Sequence, residues 1–255
     1  MPIEILAYEE TPLGLLCLRR RELASQSGTL VTEVTLNHEF LMSSRLTESE
    51  RALTKLGLAR VEAKLHDNPD ANLDADVDSK TTSESGSEAQ LSVLVGGLGL
   101  GYTAAEAIRS NLVAQVEVVE FLPQVIQWLR DGLIPLASEL NESKKLTVTQ
   151  GDIYRRLASP RNKRFDLIVI DVDHSPQDVL GDESHGFYTA EGLARAKSHL
   201  KPGGILGVWS YAEDTPLLAQ MKLVFSDVQV EQITVWNDLI DVEQTDWLFY
   251  GRRAK

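Results

Sequence analysis

The chain has 255 residues, of which 43% are hydrophobic and 25% charged, and its formal net charge is −13 at pH 7. This composition predicts one soluble domain of generous size, or one domain with a small appendage. The negative charge argues against nucleic-acid binding, because such surfaces usually carry basic patches. The sequence shows neither the run of about 18 apolar residues that crosses a membrane nor the start of a secretion signal. Since Cys17 is the sole cysteine, no intramolecular disulfide can form, and we expect a cytoplasmic protein.

The first 65 residues are predicted to form a small β unit followed by a connecting helix. Its β-prone runs, separated by turn residues, span residues 4–8, 14–19 and 30–36. Thr47 is followed three residues later by Glu50. This spacing is typical of a capping box and predicts that the helix begins there.

Residues 66–90 are rich in aspartate, serine and threonine and poor in apolar side chains. We interpret them as a flexible, solvated acidic linker. The run that begins at Asp74 resembles the start of a calcium loop. However, Ser79 and Ser85 stand where such a loop needs glycine and glutamate. The sequence therefore predicts no metal site.

From residue 91 to 255 the chain alternates between strand and helix patterns. Strands are predicted at residues 91–95, 116–119, 146–149, 167–171 and 205–209, and helices at residues 102–110, 123–129, 153–157 and 191–200. This order predicts an α/β fold, Rossmann-like, with a mostly parallel sheet covered by helices on both faces. Two β-like runs at 228–235 and 245–250 are expected to form a hairpin at one sheet edge.

A glycine turn directly follows the first of these strands. Its candidate ligand-binding residues are Gly97, Gly99 and Gly101. Glycine can adopt positive φ and leaves the backbone open to a ligand. The helix that begins after the turn offers unpaired N–H groups. The turn therefore predicts one wall of a nucleoside pocket.

Acidic residues stand at or just beyond the predicted ends of the next three strands. They are Glu120, Asp152 and Asp171. Ligands of open parallel sheets bind beyond the carboxyl ends of the strands. There Glu120 can accept hydrogen bonds from ribose hydroxyls, and Asp152, with the backbone at Ile153, can read an adenine ring. Taken singly, Glu120 is also typical of a solvated strand end and Asp152 of a helix N-cap.

The spacing of the glycines separates two kinds of nucleoside pocket. The NAD fingerprint is Gly-x-Gly-x-x-Gly, whereas this chain has Gly97-x-Gly99-x-Gly101. An NAD-dependent oxidoreductase is therefore the weaker interpretation. The shorter spacing, with an aspartate after the third strand, resembles the S-adenosylmethionine-dependent methyltransferase superfamily.

Three further segments resemble the spermidine synthase branch of that superfamily. They are Phe165-Asp166-Leu167-Ile168-Val169-Ile170-Asp171, Gly186-Phe187-Tyr188-Thr189 and Leu200-Lys201-Pro202-Gly203-Gly204-Ile205. The resemblance covers roughly residues 91–210. It implies that S-adenosylmethionine or its decarboxylated form lies on the glycine turn, with Glu120 at the ribose and Asp152 at the adenine. Asp171 would match the catalytic aspartate that helps a small-molecule amine lose its proton. The resemblance also implies a homodimer.

The chain departs from the polyamine-forming members at two positions. Leu100 stands where their glycine turn has an aspartate, and His174 stands at their second aspartate after the fourth strand. The candidate catalytic residues are therefore Asp171, Asp173 and His174, while Trp209 and Tyr211 could form an acceptor wall or pack as core aromatics. Two alternatives stay open: a plain methyltransferase on an unknown small molecule, and a non-catalytic binding protein of the same fold.

Overall fold

A computed structural model describes residues 3–23, 26–66, 91–172, 186–213, 216–238 and 240–255. Most of the predicted linker, 67–90, and the candidates Asp173 and His174 lie outside the described residues. Within them, no helix is both long enough and apolar enough to cross a membrane.

The N-terminal unit is a four-stranded antiparallel sheet whose strands pair in chain order. The strands are β1 (Ile3–Thr11), β2 (Gly14–Leu23), β3 (Gln26–Leu36) and β4 (Glu39–Ser43). Strand β4 was not predicted from the sequence. Leu36 pairs with Glu39, and the two intervening residues, Asn37 and His38, both have positive φ (52° and 70°). A two-residue turn of this kind joins antiparallel strands, but histidine is not one of its usual markers.

Helix α1 (Glu48–His66) connects this unit to the second sheet. The helix begins where it was predicted, but the capping box does not form. The Thr47 hydroxyl accepts a hydrogen bond from Arg51 Nε at 3.0 Å, and the Glu50 carboxyl contacts the Ser49 hydroxyl instead of reaching back to Thr47. Helix α1 packs closely on the sheet, since a Cβ added at Gly57 would lie 2.8 Å from the Leu167 side chain.

The second sheet has seven strands in the order β10-β11-β9-β8-β5-β6-β7. Neighbours from β9 to β7 are parallel, and the β10–β11 hairpin adds to β9 in antiparallel fashion at one edge, as predicted. Its strands are β5 (Leu91–Gly96), β6 (Val113–Glu120), β7 (Leu146–Gln150), β8 (Phe165–Ile170), β9 (Leu200–Ser210), β10 (Ser226–Asn237) and β11 (Val242–Arg252). The predicted mixed α/β fold with a mostly parallel sheet is confirmed.

Helices cover both faces of this sheet. They are α2 (Tyr102–Arg109), α3 (Pro123–Arg130), α4 (Ala137–Glu142), α5 (Ile153–Ala158), α6 (Ala190–Ser198) and α7 (Leu217–Val224). Side chains of β5 alternate between the two resulting cores, with Val93 and Val95 in one and Leu94 in the other. Because β6 and β8 flank β5 on opposite sides, the strand order reverses there. Their carboxyl ends open the crevice in which ligands of such sheets bind.

Three details differ from the predicted elements. Helices α4 and α7 were not predicted. The last crossover helix was predicted to continue to residue 200, but α6 ends at Ser198. Lys201 and Pro202 already belong to β9, where Gly203 has φ +83° and its N–H bonds to the carbonyl of Arg253. Pro202, Gly203 and Gly204 therefore lie in the first part of β9 and do not terminate α6.

Candidate functional site

The turn between β5 and α2 requires glycine at three positions. Gly97, Gly99 and Gly101 have φ values of +90°, +50° and +91°. A Cβ at Gly97 would lie 2.4 Å from the backbone oxygen of Asp171, and one at Gly101 would lie 2.5 Å from Leu140 Cδ1. The turn is thus wedged between β8 and α4, and a side chain at either position would displace its neighbours.

Glu120 ends β6 with its carboxylate turned toward the glycine turn, and only 7% of the residue is exposed. Oε2 accepts a hydrogen bond from the Leu98 N–H and Oε1 from the Leu122 N–H, both at 2.8 Å. Burial raises the pKa of Glu120, and these backbone N–H groups oppose that effect. These backbone contacts hold the Glu120 carboxylate against the glycine turn.

Asp152 is the N-cap of α5. Its Oδ1 accepts hydrogen bonds from the N–H groups of Tyr154 and Arg155, at 2.8 and 3.3 Å. The next residue, Ile153, packs behind the glycine turn, since a Cβ added at Gly96 would lie 2.7 Å from Ile153 Cγ1. Capping uses one carboxylate oxygen, so Asp152 serves the helix and also faces the crevice.

These residues line a cavity of about 740 Å³, here called the glycine-side cavity. Its wall includes the predicted ligand-binding residues Gly97, Gly99, Glu120, Asp152, Ile153 and Asp171. Gly101 lies instead in the wall of a second cavity. The N-terminal sheet closes the glycine-side cavity through Leu16, Val34 and Leu36.

The second cavity, here called the carboxylate cavity, has a volume of about 710 Å³. Four acidic residues lie in its wall. Glu33 of β3 is ion-paired with arginines, and the other three are Glu50 of α1, Asp171 after β8 and Asp246 of β11. The two cavities share five wall residues, which are Leu41, Met42, Gly99, Asp171 and Val172. Asp171 therefore stands where the cavities meet.

Asp171 is held at this junction by its backbone and its side chain. Its N–H donates to the carbonyl of Gly96 at 3.0 Å, and its Oδ2 accepts a hydrogen bond from the Thr103 hydroxyl at 2.5 Å. Burial and, to a lesser extent, the charge of Asp246 raise the pKa of Asp171 to about 6. The Asp171 carboxylate is thus a stronger base than an ordinary aspartate.

Glu50 lies in the same wall at the start of α1. Burial raises its pKa to about 8, with further contributions from the charges of Asp171 and Asp246. The Glu50 carboxyl therefore keeps its proton to a higher pH than an ordinary glutamate does. No basic side chain lies within ion-pair distance of Glu50 among the residues that the structure describes.

A hydrogen-bonded chain runs from Trp209 through Ser49 to Asp246. The Trp209 indole N–H donates to the Ser49 hydroxyl at 3.1 Å, and that hydroxyl donates to Asp246 Oδ2 at 2.6 Å. Asp246 is only 6% exposed, and its Oδ1 has no hydrogen-bond partner in the described parts of the chain. Burial raises the pKa of Asp246. Glu50, Asp171 and Asp246 thus lie in one cavity wall, and none of them forms an ion pair within the described residues.

Among the comparisons with known proteins, only the one with solved structures finds similar proteins. Neither protein-family models nor curated proteins match the chain. A spermidine synthase in complex with the transition-state analogue AdoDATO superposes with a TM-score of 0.67 at 12% identity, over 98% of this chain and 73% of that chain. Spermidine synthase from Thermotoga maritima gives 0.66 at 14% identity, over the same shares. The chain has the spermidine synthase fold.

A methyltransferase structure is also similar to the chain, with a lower TM-score. Human methyltransferase-like protein 13 in complex with SAH gives a TM-score of 0.53 at 19% identity, over 81% of this chain and 82% of that chain. The resemblance seen in the sequence is thus confirmed at the level of fold. The antiparallel N-terminal unit belongs to the shared architecture, since the spermidine synthases align over nearly the whole chain.

The residues that line the glycine-side cavity were predicted from the sequence more completely than those that line the carboxylate cavity. The acidic residues Glu50 and Asp246 and the hydroxyl of Thr103 were not predicted, while Trp209 and Tyr211 do lie in the wall of the carboxylate cavity. Glu50 was interpreted as part of a helix cap, and Asp246 sits within a strand with no motif around it. In the described ranges no group of acidic, histidine or cysteine side chains could hold a metal ion.

Proposed function

We propose that the protein is a group transferase that takes an S-adenosylmethionine-type donor in the glycine-side cavity and an amine acceptor in the carboxylate cavity. The observation that carries this proposal is the position of Asp171 in the walls of both cavities. Two reactants held on either side of one carboxylate gain most of what such a transfer needs, which is positioning.

The residues of the glycine-side cavity fit an adenosyl group. Glu120, Asp152 and Ile153 all lie in the wall of this cavity. A bound donor would direct its ribose hydroxyls to Glu120 and its adenine to Asp152 and Ile153. The turn at Gly97 and Gly99 exposes backbone without side chains. When bound, a sulfonium donor of this kind would supply a carbon whose bond to positively charged sulfur breaks as the new bond forms.

The carboxylate cavity fits a protonated amine. Glu50, Asp171 and Asp246 can surround an ammonium group with carboxyl oxygens, and each carboxyl group that is ionised there accepts hydrogen bonds without donating any. An ammonium nitrogen cannot attack carbon until it loses a proton, and Asp171 can accept that proton. The high pKa of Glu50 means that binding a cation nearby would also favour release of the Glu50 proton.

The nature of the transferred group follows from the donor that binds. S-adenosylmethionine supports methyl transfer, and its decarboxylated form supports aminopropyl transfer. Leu100 is apolar and lies in the wall of the carboxylate cavity. It supplies no anion there, so the acidic wall of this chain rests on Glu50 and Asp246 beside Asp171.

Calorimetric titration with each donor form, followed by an activity assay with a panel of amines, tests the proposal. We expect one donor to bind and Asp171→Asn to reduce kcat about 100-fold or more while donor binding persists. Asp131→Asn, an exposed position at the end of α3, is the matched control.

Failure of both donors to bind would contradict the transferase proposal and favour the non-catalytic interpretation. Turnover by Asp171→Asn at the rate of the unmodified protein would contradict the proton-accepting role of Asp171. Binding of S-adenosylmethionine without binding of the decarboxylated form would leave methyl transfer as the reaction.

A further inference from the structure

The carboxylate cavity has a cationic side opposite in charge to its acidic residues. Arg19 and Arg21 of β2 and Glu33 of β3 lie in its wall. Arg19 Nε donates to Glu33 Oε2 at 2.9 Å, and Arg21 Nε donates to Glu33 Oε1 at 2.7 Å. Glu33 is 4% exposed, so both guanidinium groups meet on one buried carboxylate.

This cluster contains more positive than negative charge. Burial raises the pKa of Glu33, but hydrogen bonds from Arg21 and Arg19 outweigh burial and leave the pKa below its usual value. Glu33 is therefore ionised and neutralises one of the two arginines. Each arginine contacts Glu33 through Nε and Nη2. No other carboxylate in the described residues lies within ion-pair distance of either arginine, so each retains Nη1 N–H groups for a ligand.

A contact that only joined β2 to β3 would need one arginine, as a cross-strand pair does. The second arginine leaves this cluster of Arg19, Arg21 and Glu33 with a net positive charge. Arg45 adds to this side of the cavity, where it pairs with Asp238 and keeps a buried Nε with no hydrogen-bond partner among the described residues.

Strand β4 connects the arginine side to the junction of the two cavities. Ser43 of β4 pairs with Glu33 of β3, and a Cβ added at Gly99 would lie 3.3 Å from Met42 Sδ. Leu41 and Met42 belong to the wall of both cavities. An apolar surface therefore runs from the arginines toward Asp171, and it suits the methylene chain of a ligand.

We propose that the acceptor is an amine that also carries a carboxylate. Its ammonium group lies among Glu50, Asp171 and Asp246, and its carboxylate binds Arg19 and Arg21. This inference rests on the proposed transferase function and specifies its acceptor. The planar guanidinium group is the side chain best matched to a carboxylate, and a ligand with opposite charges at its two ends complements a cavity polarised in this way.

Paired acceptors of equal length test this inference. ω-Amino carboxylates are compared with α,ω-diamines of the same chain length, using the donor identified by calorimetry. We expect kcat/KM to favour the amino carboxylate. In the double variant R19Q/R21Q the ratio of kcat/KM for amino carboxylate over diamine should fall about 10-fold to 100-fold, the effect of losing hydrogen bonds to a charged group.

Arg20→Gln is the matched control, because Arg20 lies on the same strand but on its opposite face. This control should keep the ratio of the unmodified protein. If the double variant does not fold, the single variants R19Q and R21Q, each of which leaves one guanidinium group on Glu33, carry the same test through a smaller fall in the ratio.

Turnover of diamines with none of amino carboxylates would overturn the inference and leave the transferase proposal intact. An unchanged ratio in the arginine variants would also overturn the inference and leave the transferase proposal intact. It would show that Arg19 and Arg21 only stabilise the N-terminal sheet. Absence of turnover with every amine, despite donor binding, would contradict the transferase proposal itself.

Discussion

At the scale of single residues, the main feature is a group of three carboxyl groups that all have raised pKa values. Glu50, Asp171 and Asp246 share one cavity wall, and each has a raised pKa. Removal from water and mutual repulsion both favour the protonated forms. A bound cation would reverse that balance. Binding of a cationic ligand would therefore favour release of protons from these carboxyl groups.

Glu50→Gln tests this account through stability. The folded-state pKa of about 8 lies above the value of 4.5 expected when the chain unfolds. Between these values the native state holds more protons, so the contribution of Glu50 to the free energy of unfolding falls as pH rises from about 4.5 to about 8. Glutamine does not titrate, so Glu50→Gln should flatten the decline that we expect in urea unfolding between pH 5 and 8.

Glu48→Gln, an exposed position in the same helical turn, controls for the loss of one acidic residue. A decline in Glu50→Gln as steep as that of the unmodified protein would contradict the proposed proton on Glu50.

The residues found from the sequence differ from those missed in a simple physical way. Glu120, Asp152 and Asp171 follow strands of one parallel sheet, and the geometry of such a sheet brings strand ends together. Glu50 and Asp246 reach the same place from a helix before that sheet begins and from its last strand. Only tertiary packing makes them neighbours, and no local pattern encodes that packing.

At the scale of elements, α5 shows how a helix start serves both structure and site. Asp152 caps α5 through Oδ1 and lies in the wall of the glycine-side cavity. The sequence analysis weighed the N-cap against the ligand role, and the structure supports the cap directly. Both can hold because a carboxylate has two oxygens.

Asp152→Ser and Asp152→Ala separate the two roles. Serine is also a good N-cap, so Asp152→Ser should keep the free energy of unfolding, whereas alanine should lower it by about 0.5–2 kcal/mol. Both variants should weaken donor binding, because neither provides the second carboxylate oxygen. Urea unfolding and calorimetric titration of both variants measure the two effects. Unchanged donor affinity in both would show that Asp152 acts only as a cap.

The elements that were not predicted from the sequence are short, or they lack the residues that usually mark a turn. Strand β4 has five residues and α4 has six. The turn before β4 uses Asn37 and His38, where glycine would have signalled a hairpin. Patterns that repeat over several turns of helix are absent from such short segments, so propensity alone could not distinguish them from loops.

At the scale of the whole molecule, the N-terminal sheet and the Rossmann-like sheet share one core. Leu16, Leu18 and Val34 belong to the same buried cluster as Leu53 of α1 and Val93 of β5. Leu16 is fully buried and also lines the glycine-side cavity. The N-terminal sheet therefore contributes to stability as well as to the site.

Leu16→Ala should lower the free energy of unfolding by about 2–5 kcal/mol, the usual cost of such a cavity in a core. Because the core is shared, unfolding in urea should stay a single transition when followed by near- and far-ultraviolet circular dichroism. Ile3→Ala is the control, since Ile3 is 51% exposed. Separate transitions for the two signals would show that the sheets unfold independently.

The attachment of Asp171 bears on how such a protein could diverge. Its N–H and carbonyl are fixed against Gly96 and Gly97, whereas its carboxyl group faces the junction of the cavities. Backbone contacts of this kind do not depend on which side chain position 171 carries. A lineage could therefore exchange the reactive group there and keep the scaffold. At Gly97 any side chain would collide with the main chain of Asp171. We therefore expect glycine at position 97 in related proteins, whichever reaction they catalyse.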